Sequence, residues 1–236
     1  MILAVDTSSP SGSLALLRDT TVLGWQVSSD EPYSAGLLRD TKELLHCSHM
    51  SLEEIELFAV NAGPGSFTGL RVGLTTVKAW AEVWQRPIAA VSGLEAMAIQ
   101  ASRLAAPDSA IAAVLDARRG QIFGGLFRRR GGDAAMLDRI GDEVLTTSDE
   151  FLQSLRTQIG EVCGLSIACI SPELIQPALE RQGLGYCRIE VVSNQLAPFL
   201  GELGYAKAIR GDVVDALHLD ANYIRRSDAE MNWKGQ

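Results

Sequence analysis

Residues 61–73 read Asn-Ala-Gly-Pro-Gly-Ser-Phe-Thr-Gly-Leu-Arg-Val-Gly, a glycine-rich turn between a predicted buried strand and a long predicted helix. In such a turn, backbone N–H groups and the helix dipole can bind an anion, and glycine lets a phosphate or another backbone segment come close. It is not a Walker A loop, because no Lys-Ser or Lys-Thr follows Gly69, and its third glycine stands one residue too late for the dinucleotide fingerprint. The turn is therefore predicted to contact either a phosphate or the protein itself.

The helix predicted over residues 70–84 has two apolar stripes, although a surface helix needs only one. Its own sheet can cover one stripe, so the second is expected to face either the other half of the protein or a partner protein. A second amphipathic helix, predicted from about residue 34 to residue 47, carries a stripe of leucines. The first stripe of helix 70–84 is Leu70, Leu74, Val77, Ala81 and Trp84, and the second is Val72, Thr76, Ala79, Trp80 and Val83.

The two predicted helices together supply a candidate partner interface. Its residues are Leu37, Leu38, Leu44, Leu45, Leu70, Leu74, Val77, Trp80 and Ala81.

The whole chain is predicted to form two α/β lobes with the same rough order of elements. Residues 1–105 read as three strands and a helix, followed by strands alternating with helices, and residues 106–236 also place strands first and alternation later. This order favours two related lobes, each a mixed sheet with helices, over one doubly wound sheet. The final segment is available to pack back on the first lobe. The strands predicted in the second lobe are residues 110–115, 122–128, 134–140, 162–165 and 187–192.

The composition is that of an ordinary globular protein. The chain has 236 residues, 47% of them hydrophobic, and a net charge of −8 from 21 basic and 29 acidic residues. This balance disfavours independent binding to nucleic acid, because that affinity depends on neutralising phosphates with Lys and Arg. The chain has no signal-peptide pattern, no apolar run near the ~20 residues that span a bilayer, and four scattered cysteines. A cytoplasmic protein without membrane contact is predicted.

Candidates for a catalytic or metal site are few. The three histidines are His46, His49 and His218; the first two lie at a predicted helix end without a carboxylate-rich neighbour, and no H-E-x-x-H or G-x-S-x-G motif is present. Asp6 ends the first strand before Thr-Ser-Ser, and Asp116 stands at the matching place in the second half. In a two-lobed ATPase fold, an acidic residue and a hydroxyl-rich turn at this place face the nucleotide phosphates, although strand-end aspartates are also common turn formers. No catalytic residue and no metal ligand is predicted, and the candidate phosphate-contact residues are Asp6, Thr7, Gly63, Gly65, Ser66, Thr68, Gly69 and Arg71.

Five segments make the chain resemble a known family. They are residues 2–8 (Ile-Leu-Ala-Val-Asp-Thr-Ser), 63–73 (Gly-Pro-Gly-Ser-Phe-Thr-Gly-Leu-Arg-Val-Gly), 91–94 (Val-Ser-Gly-Leu), 115–119 (Leu-Asp-Ala-Arg-Arg) and 223–230 (Tyr-Ile-Arg-Arg-Ser-Asp-Ala-Glu). They span the chain in the family's order, and the block from residue 63 is the most specific of them. On these segments the sequence resembles the TsaB (YeaZ) family, the bacterial non-catalytic partner in threonylcarbamoyladenosine synthesis on transfer RNA.

The resemblance implies an α/β, two-lobed fold of the actin, sugar-kinase and Hsp70 type (ASKHA). It also implies pairing with a larger catalytic paralogue, TsaD, and with a small ATPase, TsaE. The paralogue holds a metal through a His-x-x-x-His motif, which this sequence lacks. The family usually opens its first long helix with His-Ser and a leucine pair, whereas this chain has Tyr33 at the histidine position and retains Leu37 and Leu38. A family role of that histidine does not carry over to Tyr33.

Two functions from different classes are consistent with these features. The main hypothesis is a scaffold subunit that activates the catalytic paralogue for transfer of a threonylcarbamoyl group to adenosine in tRNA. On this hypothesis the chain has no cofactor of its own, ATP or ADP binds at the level of the complex, tRNA is contacted only through the complex, and the chain alone forms a homodimer. The alternative is a small kinase or ATPase of the same fold, supported by Asp6, the glycine-rich turn and Asp116. A peptidase hypothesis has neither a nucleophile nor metal ligands to support it.

Overall fold

The structure of the chain is a computed structural model that describes residues 1–27, 33–106, 108–129, 137–160 and 164–224, with the backbone alone at 33–35. The strands of its first sheet are β1 (Ile2–Asp6), β2 (Ser13–Arg18), β3 (Thr21–Val27), β4 (Leu57–Gly63) and β5 (Ile88–Ser92). They lie in the order β3-β2-β1-β4-β5. The central strand β1 pairs antiparallel with β2 and parallel with β4.

The second sheet repeats this arrangement. Its strands are β6 (Ala110–Arg118), β7 (Gln121–Arg129), β8 (Leu137–Thr146), β9 (Ser166–Cys169) and β10 (Arg188–Val191). They lie in the order β10-β9-β6-β7-β8. The central strand β6 pairs antiparallel with β7 and parallel with β9, as β1 does with β2 and β4. The prediction of two lobes, each with a mixed sheet, is confirmed.

One predicted strand is displaced. Residues 162–165 were expected to be extended, whereas β9 begins at Ser166, and residues 161–163 lie outside the described residues. The register explains the shift, because pairing with β6 and β10 begins at Ser166. The tip of the β7–β8 hairpin, predicted around residues 131–132, also lies outside the described residues.

Helices cover the sheets. They are α1 (Tyr33–Cys47), α2 (Phe67–Trp84), α3 (Gly93–Ser102), α4 (Ser148–Ile159), α5 (Gln176–Arg181) and α6 (Ala197–Ile209). Helix α2 begins earlier than residue 70 because Ser66 caps it, accepting the Gly69 amide at 3.3 Å. Residues 63–69, which include the first residues of α2, are called the glycine-rich loop below. Among the described helices, none is long and apolar enough to cross a membrane.

The two lobes share one hydrophobic core. Helices α1 and α2 pack on one face of the first sheet, and α3 and α6 lie in the cluster on its other face. That second cluster joins Ala4 of β1 to Met97 of α3 and Phe127 of β7. Helix α6 approaches the first sheet closely, since a Cβ added at Gly204 would lie 2.7 Å from Ala59 Cβ. The boundary between residues 105 and 106 stays a prediction, because a helix from the second half packs on the first sheet.

The segment after α6 runs back along the first lobe. Val214 and Ile88 exchange backbone hydrogen bonds of 2.8 Å, and Leu219 is 1% exposed in the core beside α2. The Asn222 amide donates to the Ala62 carbonyl oxygen at 2.7 Å. The described end of the chain is therefore held against β5 and the start of the glycine-rich loop.

Candidate functional site

The glycine-rich loop packs directly on the turn between β1 and β2. A Cβ added at Gly65 would lie 2.6 Å from Ser8 Cβ, and one at Gly69 would lie 1.9 Å from the Thr7 carbonyl oxygen. A Cβ at Gly73, one turn further along α2, would lie 2.3 Å from Thr7 Oγ1. Because glycine stands at every fourth position, one edge of the loop and of α2 carries no side chains, and this edge can lie close to the β1–β2 turn. Gly73 was not among the predicted site residues, although its spacing is visible in the sequence.

Two hydrogen bonds hold the loop on the turn. The Ser66 amide donates to the Ser8 carbonyl oxygen at 2.8 Å, and the Thr7 hydroxyl donates to the Gly69 carbonyl oxygen at 2.7 Å. Thr7 is 2% exposed and Ser8 is 8% exposed. The turn that was predicted to face nucleotide phosphates is therefore covered by the chain's own loop.

A buried polar cluster ties the end of β1 to the end of β4. Asp6 Oδ1 accepts the Ser8 amide at 3.0 Å and Asn61 Nδ2 at 2.9 Å. Asn61 also donates to Ser8 Oγ, and its Oδ1 accepts the Gly63 amide, both at 2.9 Å. Burial raises the pKa of Asp6, and the hydrogen bonds from Ser8 and Asn61 oppose this shift. Asn61 was not predicted as a site residue, because a single amide at a strand end is not a distinctive signal.

Of the eight candidate phosphate-contact residues, three have exposed side chains. Ser66, Thr68 and Arg71 lie on the outer side of the start of α2. The carboxyl group of Asp6 and the hydroxyl of Thr7 are buried under the loop. Phosphate contact stays a prediction, restricted by this geometry to the outer side of α2.

Asp116 repeats the turn geometry of Asp6 but not its burial. Its Oδ1 accepts the Arg118 amide at 2.7 Å, as Asp6 accepts the amide two residues after it. Arg118 and Arg119 follow in left-handed backbone, with φ of 60° and 57°. Asp116 is exposed whereas Asp6 is 1% exposed. The predicted correspondence therefore holds for the position at the strand end and for this hydrogen bond, whereas the backbone that follows is left-handed after Asp116 and not after Asp6.

Ser92, Glu143 and Asn222 link the second sheet to the first lobe. Ser92 caps α3, and its hydroxyl donates to Glu143 Oε1. Asn222 Nδ2 donates to Glu143 Oε2 at 2.7 Å. Burial raises the pKa of Glu143, opposed by hydrogen bonds from Ser92 and Asn222 and by the charge of Arg139. The capping serine can be predicted from the sequence, but its hydrogen bond to a carboxylate on the other sheet cannot.

Most of the residues predicted to form a partner interface are buried in the isolated chain. The leucine stripes of α1 and α2 face their own sheet, and Leu45 also lines a groove between the two helices. Leu38 is the exception at 57% exposed, and Trp80 is half-buried. The side chains that lie inside the first lobe are Leu37, Leu44, Leu45, Leu70, Leu74, Val77 and Ala81.

The second apolar stripe of α2 faces outward instead. Ala79 and Val83 are exposed, Val83 at 68%, and Trp80 is half-buried beside them. Next to this stripe, an apolar groove of about 350 Å³ lies between α1 and α2. Residues that line it include Leu38, Lys42, His46, Met50, Leu52 and Trp80. The groove and the exposed stripe together are called the α1–α2 face.

In the ranges that the structure describes, no three His, Cys, Asp or Glu side chains lie close enough to hold a metal ion. His46 lies at the groove, His49 is exposed, and His218 Nδ1 lies 2.7 Å from Asp215 Oδ1 on the surface. The three histidines are therefore not brought together.

The repeated strand order and the turn at the end of each central strand define the fold class of the protein. The chain is a two-lobed protein of the actin, sugar-kinase and Hsp70 class. The ROK hexokinase of Thermus thermophilus has a TM-score of 0.54 over 88% of this chain and 99% of its own, at 11% identity. That likeness is one of fold alone.

Relatives then narrow the class to a family. A family model described as TsaD, tRNA N6-adenosine threonylcarbamoyltransferase, matches residues 29–160, more than half of the chain. The tRNA threonylcarbamoyladenosine biosynthesis protein TsaB of Bacillus subtilis is 29% identical over 98% of this chain and 97% of its own length. A Pseudomonas aeruginosa structure, described as an uncharacterized protein with similarity to peptidase YEAZ, has a TM-score of 0.75 and 25% identity over 95% of this chain and 99% of its own. The chain belongs to the family of the TsaD model and, within it, to the TsaB (YeaZ) branch.

Gly69→Ala tests the contact between loop and turn. The added methyl group must separate two backbone segments, so the free energy of unfolding should fall by about 1–3 kcal/mol. Denaturant titration measures the change. Gly185→Ala is the matched control, because a Cβ there meets nothing within 4 Å. Equal unfolding free energies for the two variants would contradict the close contact.

Asp6→Asn tests the buried carboxyl group. The raised pKa of Asp6 means that the folded state favours its protonated form, so its contribution to stability is present at low pH and is lost as pH rises through that pKa. Asn does not titrate, so the difference in Tm should move in favour of the variant as pH rises from about 4 to about 8. Melting curves across this range measure it, with the exposed Asp116→Asn as control. A difference that does not change with pH would refute the assignment.

Proposed function

We propose that this chain is a non-catalytic subunit that docks through its α1–α2 face on the catalytic paralogue TsaD and thereby supports tRNA threonylcarbamoyladenosine synthesis. The observation that carries the proposal is the glycine-rich loop seated on Thr7 and Ser8. The names of the B. subtilis and Escherichia coli relatives place those proteins in this pathway, the second being 34% identical over 54% of this chain and 55% of its own length.

The covered turn argues against independent phosphoryl chemistry. Enzymes that transfer phosphoryl groups depend on N–H and hydroxyl donors that are aimed at phosphate oxygens. In this chain the Thr7 hydroxyl and the Ser66 amide donate to the protein's own carbonyl groups, at 2.7 and 2.8 Å. A phosphate would have to displace the loop to reach them, so the turn is built as a structural joint.

The shared core argues in the same direction. Kinases and related two-lobed proteins close their lobes around ligands by hinge and shear motions. Here α3 lies in the cluster that joins both sheets, and its Leu94, Met97 and Ile99 are completely buried. Movement of one lobe against the other would have to break this packing, which supports a rigid subunit.

The α1–α2 face supports a docking role. Large exposed apolar patches on a folded protein are typical of interaction sites, and the core of an interface is apolar with aromatic residues enriched. Leu38, Trp80 and Val83 provide such a core, and Lys42 lies at its margin. The same face is uncovered in the isolated chain, so a homodimer is expected when the partner is absent.

The finer organisation is part of the same proposal. ATP or ADP binds at the level of the complex, with TsaE as the ATPase. The chain contacts tRNA only through the complex, because its charge of −8 gives it little affinity for a phosphate backbone. The expected compartment is the cytoplasm.

The alternative of a small kinase or ATPase finds less support in this geometry. Its three sequence features were Asp6, the glycine-rich loop and Asp116. Asp6 is buried and is linked to Gly63 of the loop through Asn61, and Asp116 is an exposed turn former. Titration of the isolated chain with ATP and magnesium distinguishes the two functions, because micromolar binding would favour the enzyme.

Charged substitutions on the α1–α2 face should abolish pairing while leaving the fold intact. We expect Leu38→Asp and Val83→Asp to weaken binding to TsaD by about 100-fold or more, because each places a charge in the apolar core of the interface. Co-purification and calorimetry measure the effect. Ile209→Asp is the matched control, since Ile209 and Val83 are both 68% exposed and Ile209 lies on α6. Pairing that survives both interface variants would contradict the assignment.

Substitutions in the buried stripe should behave differently. Leu74 and Val77 are 6% and 0% exposed, so Leu74→Asp or Val77→Asp buries a charge in the core and should unfold the first lobe. Loss of pairing in these variants would therefore carry no information about the interface. Circular dichroism checks this outcome, and a native melting curve would refute the burial argument.

Reconstitution tests the function itself. TsaD with its ATPase and the threonylcarbamoyl donor should modify tRNA at least about 10-fold faster when this chain is added, a difference of about 1.4 kcal/mol in the barrier. Mass spectrometry of the tRNA nucleosides measures the product. Equal modification without the chain would disprove the scaffold function.

A further inference from the structure

Arg71 is an exposed cation on the outer side of α2, and two aromatic side chains contact its guanidinium. Its guanidinium carbon lies 3.9 Å from the centroid of the Phe67 ring. Its Nε donates to Tyr223 Oη at 3.3 Å. The Phe67 and Tyr223 rings pack on each other, with centroids 5.1 Å apart and planes tilted by 35°. Two aromatic side chains from distant parts of the chain thus hold one guanidinium in place.

The remaining edge of this guanidinium is unused. Nη1 and Nη2 of Arg71 make neither a hydrogen bond nor an ion pair with any residue in the described ranges, and the side chain is exposed. Stacking on an aromatic ring is a known mode of holding arginine, and the free fork matches a carboxylate or phosphate in two parallel hydrogen bonds. Because the guanidinium is already held in place before an anion binds, less conformational entropy is lost on binding. The arrangement is that of a preorganised anion receptor.

The segment that carries Tyr223 is itself anchored. The preceding residue, Asn222, bonds to Ala62 and to Glu143, each at 2.7 Å. A Cβ added at Gly63 would lie 2.7 Å from the Asn222 carbonyl oxygen. The aromatic support of Arg71 therefore depends on contacts with both sheets and does not come from a loose side chain on the surface.

Arg71 also begins the exposed ridge of the docking helix. Residues 71, 75, 79 and 83 follow each other at four-residue intervals along α2, and all four are exposed. Such rows form the ridges by which helices pack. Thr75 and Ala79 are small, so a partner can approach the middle of the ridge, with Val83 at one end and Arg71 at the other. The cation is continuous with the apolar part of the α1–α2 face.

We propose that Arg71, held by Phe67 and Tyr223, is the charged anchor of the docking surface and binds an aspartate or glutamate carboxylate of the partner protein. This inference rests on the proposed function, since it assumes that the α1–α2 face meets a protein. A protein carboxylate is favoured over an RNA phosphate because the ridge continues into an apolar surface and the chain carries a charge of −8. The anchor sets the orientation of the partner along α2, because the apolar part of the ridge alone leaves its direction poorly specified.

The test measures binding of the full chain to TsaD by calorimetry. Arg71→Ala should weaken the dissociation constant by about 10- to 30-fold, as expected for an arginine anchor. Arg71→Lys should also weaken it clearly, because lysine keeps the charge but loses the planar fork. Tyr223→Phe should give a smaller loss, since only the positioning hydrogen bond disappears. Arg210→Ala, an exposed arginine at the end of α6, is the control and should bind like the wild type.

A rescue experiment identifies the anion. Arg71→Glu should abolish tight pairing, and changing the contacting carboxylate of TsaD to lysine should restore it. Wild-type affinity for Arg71→Ala would overturn the anchor while leaving the proposed function intact. Unchanged TsaD binding together with weaker tRNA binding would also overturn it and assign Arg71 to a phosphate. If the wild-type chain itself fails to bind TsaD, the proposed function fails with it.

Discussion

The close approach of α2 to the β1–β2 turn is the constraint on which the rest of the first lobe depends. Gly65, Gly69 and Gly73 leave one edge of the loop and helix bare, and Thr7 and Ser8 occupy the space that side chains would need. A backbone contact of this kind cannot be adjusted by rotamers, because it joins two main chains. It determines where α2 begins and how the helix lies on its sheet.

The same contact has a functional consequence. In this class of fold, the turn at the end of the first central strand is the natural place for phosphate groups, and here it is filled by the chain itself. The hydrogen bonds between this turn and the glycine-rich loop form the joint that positions α2. This joint fixes α2 in an orientation that leaves Val83 exposed to solvent and places Trp80 at the groove. A protein built in this way is suited to binding a partner.

Much of this architecture was predictable from local patterns. The alternation of strands and helices indicated two similar lobes, and the two stripes on residues 70–84 indicated that the sheet covers one side of α2 while the other side faces the second lobe or a partner. Which stripe faces outward was not predictable, because both have helical periodicity and both are apolar. The leucines of α1 and α2 were assigned to the partner interface, but the sheet covers them. The apolar side chains that α1 and α2 leave exposed are instead Leu38, Ala79 and Val83.

The sequence by itself determined the elements, the position of the glycine-rich loop and the family, because these depend on the spacing of residues along the chain. Only the tertiary structure showed that Thr7 lies beneath Gly69, that Glu143 joins Ser92 to Asn222, and that Tyr223 supports Arg71. These contacts join residues that are far apart in sequence, and no local propensity encodes them. They follow from the packing of two sheets around one shared core, which decides the faces that remain for a partner.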